Sequence, residues 1–202
     1  MNLATLKWSD LRYRNYTAMQ VIDNNVLDLS MSKDGVGLLF IHDKLKLPSG
    51  MSFDLKEVND KAEWTNLDRV AKHWIATGNV NDTAIFASVG LRGYLKSSLN
   101  IRLTSNSYET KKPPHIYCIR TAFERRGKAV ILAIERDGIC HLIGMTSRGK
   151  LSIIERLSNI TDGQNYPHPN YKVILSEVQS GREGEFILGG YCWIKKLTLK
   201  LK

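Results

Sequence analysis

The chain has 202 residues, 43% of them hydrophobic, and a formal net charge of +9. That composition supports one domain with a real core and excludes a disordered or low-complexity chain. The longest purely apolar run, Ala129 to Ile134, falls far short of the ~20 residues a spanning helix needs, so no membrane partner is expected.

The opening residues, "MNLATLKWSDLRYR", lack the apolar core of a secretory signal peptide. The three cysteines, Cys118, Cys140 and Cys192, are odd in number and form no CxxC. Together these features predict reduced thiols in a cytoplasmic protein, with no disulfide framework and no zinc site. The charge is unevenly spread. Residues 1–91 hold 10 Lys and Arg against 11 Asp and Glu, while residues 92–202 hold 19 against 9. Basicity confined to one region makes a field that attracts polyanions.

In chain order, the first segment opens with a short helix capped by Ser9. "VLDLSMS" then alternates as a strand, and Asp34-Gly35 turns it into "VGLLFIH". "KLKLPSGMSFDLKEV" reads as a second pair of short strands bent at Pro48-Ser49-Gly50. Residues 65–77 read as a helix. Thr65 caps it, Asp68 sits three residues on, and Trp64, Leu67, Val70, Ala71, Trp74 and Ile75 form a stripe at helical spacing. Gly78 stops it. A second, deeply buried helix spans about 82–96. The two read as packed core helices rather than a helix-turn-helix, because the second offers little beyond Ser88, Arg92 and Lys96 to a major groove. From residue 97 the period becomes two, and strands continue to the tail "YCWIKKLTLKLK", with a hairpin turn at Asp137-Gly138. The expected fold is α+β: two central helices packed on a mostly antiparallel sheet, with a small N-terminal β-hairpin region. Residues 1–202 form a single domain with three parts, 1–62, 63–96 and 97–202.

The histidines, His42, His73, His115, His141 and His168, are scattered, so no metal site is expected. No phosphate-binding glycine loop or nucleophile elbow is present. One chemical pattern survives a literal search. In "FIHDKLKLPSGMSFDLKEV", Asp43 is followed by Asp54-Leu55-Lys56. This resembles the PD-(D/E)xK nuclease motif, without the proline before the first acid. The resemblance implies Mg²⁺ held by Asp43 and Asp54, with Lys56 steadying the attacking water or the charge on phosphorus. No other cofactor is expected. A metal-independent ribonuclease on the sheet would draw on His115, Arg120 and His141.

The leading expectation is a nucleic-acid-binding protein, for DNA or RNA, that uses the strand-rich second half. Its contact residues are Arg102, Lys111, Lys112, Arg120, Arg125, Arg126, Lys128, Arg148, Lys150, Lys196, Lys200 and Lys202, with aromatic residues nearby to stack on bases. The alternatives are one of the two nucleases, or a factor that binds an acidic protein surface.

Overall fold

The structure, a computed structural model, describes residues 26–103, 115–135, 139–157, 175–180, 182–190 and 193–200. Sheet 1 holds β1 (Val26–Ser32), β2 (Gly35–Phe40), β3 (Lys44–Lys46) and β4 (Ser52–Asp54). Sheet 2 holds β5 (Glu63–Val70), β6 (His73–Val80), β7 (Thr83–Gly90) and β8 (Leu95–Arg102). Sheet 3 holds β9 (Ile116–Arg125), β10 (Lys128–Glu135), β11 (Cys140–Met145) and β12 (Leu151–Leu157). Sheet 4 holds β13 (Leu175–Ser180), β14 (Glu185–Gly190) and β15 (Trp193–Thr198). Each sheet is an antiparallel meander in sequence order.

The sheets stack face to face, with their first strands adjacent: β1 lies against β5, β5 against β9 and β9 against β13. Polar groups stitch these strands together. The Leu67 amide donates to the Asp28 carboxylate at 2.7 Å and the Arg69 amide to Ser30 Oγ at 2.9 Å, so β1 and β5 run in the same direction. Asn66 Nδ2 donates to the Ile116 carbonyl at 3.0 Å, joining β5 to β9. Four-stranded meanders stacked in this way resemble consecutive blades of a β-propeller.

Three apolar layers fill the gaps. Leu39, Leu45, Phe53, Trp64, Trp74 and Ile85 lie between sheets 1 and 2. Ile75, Phe86, Ile101, Ile119, Ile131 and Ile143 lie between sheets 2 and 3. Cys118, Leu132, Ile134, Phe186 and Leu188 lie between sheets 3 and 4. Sheets 2 and 3 therefore bury both faces, and each fully buried Ile or Phe contributes roughly 1.5–3 kcal/mol.

This burial overturns the α+β expectation. The described residues contain no α-helix, only a short 3-10 turn over Leu55–Glu57. Residues 65–77, expected as a helix, lie in β5, its turn and β6, and residues 82–96 lie in β7, its turn and the start of β8. The helical spacing of Trp64, Leu67 and Val70 has two strand causes. A register shift between Trp64 and Asn66 puts Trp64 and Leu67 on the sheet 1 side, and Val70 packs on the opposite face. In β6, Trp74 and Ala76 face sheet 1 while Ile75 faces sheet 3, so the run is apolar throughout and periodicity cannot separate strand from helix. The turn at Ala71-Lys72 carries no turn residue, and Ala71 takes a left-handed φ of 51°. Gly78 lies inside β6 rather than ending a helix.

The first hairpin forms, although its two loop residues are Lys33-Asp34, and Gly35 opens the return strand with a φ of 126°. The Asp137-Gly138 turn and Ser9 lie outside the described residues.

Candidate functional site

The first three sheets each have an even number of strands, so all odd-numbered strands point the same way. The turns that follow them share one face of the stack, and contacts between turns bear this out. Arg69, at the end of β5, reaches Asp34 in the β1–β2 turn at 3.4 Å. Ser49 Oγ donates to the Leu91 carbonyl at 3.1 Å, joining the β3–β4 and β7–β8 turns. Ser97 Oγ donates to the Gly149 carbonyl at 3.0 Å, joining the start of β8 to the β11–β12 turn. The Gly184 amide donates to the Ala122 carbonyl at 2.8 Å, placing the β13–β14 turn beside the end of β9.

This face carries exposed Lys33, Lys72, Arg92, Arg125, Arg126, Lys128, Arg148, Lys150 and Arg182, against the carboxylates Asp34, Glu124 and Glu183. None of the nine cations is in an ion pair among the described residues. The opposite rim carries Asp43, Asp54, Glu57, Asp60, Glu63 and Asp82 against Lys44, Lys56, Lys61 and Arg102 among the described residues. The described charge is thus sorted by face as well as along the sequence.

Five of the sequence-derived contact residues, Arg125, Arg126, Lys128, Arg148 and Lys150, converge at one end of sheet 3. There Gly127 packs near Ser147 and brings the two turns together. Lys200 follows β15 on the same face, since the Leu199 amide bonds the Gly184 carbonyl. The others are placed elsewhere. Arg102 lies on the acidic rim, bonded to Asp82 at 3.0 Å. Lys196 bonds Glu185 at 2.8 Å on the edge strand β15, where a lysine also blocks strand-to-strand pairing. Lys111, Lys112 and Lys202 lie outside the described residues. Charge counting along the sequence missed Lys33 and Lys72, because their half of the chain is nearly neutral, and Arg92, because it reads as part of a core helix. Their turn positions after odd-numbered strands are the signal that could have found them.

Arg120 belongs to the inner strands. It supplies positive charge to two half-buried carboxylates, Asp28 on β1 and Asp68 on β5. Asp28 is raised by burial, opposed by its bonds from the Leu67 and Leu29 amides. Burial pushes Asp68 up to about 6, although it accepts bonds from the Arg69 amide at 2.8 Å and Ser30 Oγ at 3.2 Å. Burial also pushes the Cys118 thiol up to about 11, so it stands as an inert thiol rather than a nucleophile. Cys140 is likewise buried and forms no disulfide among the described residues, and Cys192 lies outside them.

The nuclease candidates do come together. Lys56 Nζ lies 4.0 Å from Asp43 Oδ2, and Lys44 pairs with Asp54 across β3 and β4. The Asp54 carboxylate accepts the Lys56 amide at 3.0 Å, capping the 3-10 turn. Among the described residues, no group of three or more His, Cys, Asp or Glu is placed to hold a metal ion. For the metal-free alternative, His141 is buried and bonded to Glu135 at 2.7 Å, while Arg120 sits on the inner strand β9 and half-buried His115 just precedes it.

No family model matches the chain, and a search of curated proteins finds no match either.

Proposed function

We propose that the protein binds nucleic acid through the face formed by the turns after its odd-numbered strands. The observation that carries this reading is the set of exposed cations on that face, without ion pairs among the described residues, opposite a net-acidic rim. A polyphosphate carries condensed counterions that it releases when cations neutralise its phosphates, and cations at turn tips offer it donors already facing it. The cluster at the end of sheet 3 is the centre of the interface.

Titration of a fluorescently labelled oligonucleotide at two salt concentrations tests this. Affinity should fall about ten-fold or more between 50 and 200 mM salt, as expected when several phosphates are neutralised. Absence of binding at low salt would refute the reading.

A nuclease is the second reading, favoured by the approach of Lys56 to Asp43. Repeating the titration with Mg²⁺ separates the two. Cleavage that is lost in Asp43→Ala would move the activity to the acidic rim. A factor for an acidic protein surface uses the same basic face, and salt-sensitive binding to an acidic protein without nucleic-acid binding would favour it.

A further inference from the structure

Beside the sheet 3 cluster lies a pocket of about 440 Å³. Its floor is a cross-strand row running from Phe123 on β9 through Val130 and Gly144 to Ser152 on β12. Arg125 and Lys128, which pair across β9 and β10, form the wall nearest the turns, and exposed Ile154 lines the outer side. Gly144 keeps the floor open: a Cβ there would lie 3.2 Å from both Cδ1 and Cγ1 of Ile154. The volume falls within the roughly 300–1,000 Å³ of pockets that enclose one small molecule, and it cannot admit a duplex.

We propose that this pocket takes one unpaired nucleotide of a single-stranded nucleic acid. The inference rests on the basic-face reading and narrows it to single strands. The base lies on the apolar row with Phe123 as its aromatic neighbour. Its phosphate meets Arg125 and Lys128, both exposed cations with no ion-pair partner among the described residues. Stacking of a base on an aromatic side chain tolerates any sequence, so the pocket adds affinity without strong base preference. The Ser152 hydroxyl, and the Thr146 hydroxyl, which accepts the Lys150 amide at 3.1 Å and keeps its own proton to donate, are the side-chain polar groups in reach of a base edge.

The test compares wild type with Ser152→Phe, which fills the pocket from an exposed edge-strand position, and with Gly144→Val, which fills it from the floor. The probes are a labelled single-stranded oligothymidylate, a duplex of the same length, and heparin as a baseless polyanion. Wild type should bind the single strand more tightly than the duplex. Each variant should lose about ten-fold on the single strand and keep its heparin affinity. A thermal melt identifies a variant that fails to fold, in which case the other variant decides. Unchanged single-strand affinity, or equal losses on single strand and heparin, would overturn the pocket and leave the basic face standing. Wild type that binds none of the three would overturn the face and the pocket together.

Discussion

Gly37→Ala should cost about 3 kcal/mol of stability, the upper end of what one overpacked group imposes. Gly37 lies in β2, opposite Ser30 and facing sheet 2. A Cβ there would meet Trp74 Cζ3 and lie 2.6 Å from Cε3 and 2.8 Å from Cη2. Trp74 has no room to give, because it is fully buried and the Arg69 guanidinium sits 5.0 Å from its ring centroid. Sheet 1 would have to lift away from sheet 2. Trp74→Phe should be destabilising alone, since it leaves a cavity, yet it should recover much of the loss in the Gly37→Ala background. Chemical denaturation of the four proteins reads this coupling. A neutral Gly37→Ala would mean that sheets 1 and 2 do not pack in this register.

Asp68→Asn should stabilise the protein at pH 7 by about 2 kcal/mol. In the folded chain Asp68 titrates near 6, against 3.8 for an unperturbed aspartate. Between those values the folded protein holds a proton that the unfolded chain has released. Stability therefore falls as pH rises through this window, and above it the protein carries a partly desolvated carboxylate at a cost. Asparagine keeps the volume and the oxygen that accepts from Ser30 and the Arg69 amide, and it has no proton to lose. Denaturation between pH 4 and 7 should show a sloping wild type and a flatter variant. A variant less stable than wild type at pH 7 would mean that the Arg120 charge outweighs the burial of Asp68.

The sequence shows the strands of sheet 1 plainly, because Lys33-Asp34-Gly35 and Pro48-Ser49-Gly50 are recognisable turns between short runs. It shows β9, β10 and β11 equally well. It conceals sheet 2, and the reason is physical. A strand covered on both faces shows no alternation, a register shift at Thr65 imitates a helical step, and Ala71-Lys72 turns the chain without a turn residue. Once sheet 2 is read as helices, the chain looks like one sheet with two helices rather than four stacked meanders.

The candidate site was legible in the same uneven way. Arg125, Arg126, Lys128, Arg148 and Lys150 stand out in a basic half-chain and do cluster. Lys72 and Arg92 join them only through topology, since their turns belong to sheet 2. Arg102 and Lys196 look equivalent in the sequence but lie against Asp82 and Glu185. The pocket beside Phe123 depends on cross-strand register, which neither charge nor composition reveals.

The most direct measurement compares two variants with equal loss of charge. One changes Lys72, Arg126, Arg148 and Lys150 to glutamine on the basic face. The other changes Lys44, Lys56, Lys61 and Arg102 to glutamine on the opposite rim. Binding of a labelled single-stranded oligonucleotide is followed across a salt series. The basic-face variant should lose about 100-fold in affinity, and its log–log salt slope should become shallower by roughly 3, at about 0.7 per phosphate contact on a single strand. The rim variant should stay within about three-fold of wild type. Equal losses in the two variants, or a larger loss from the rim, would contradict the assignment of binding to this face.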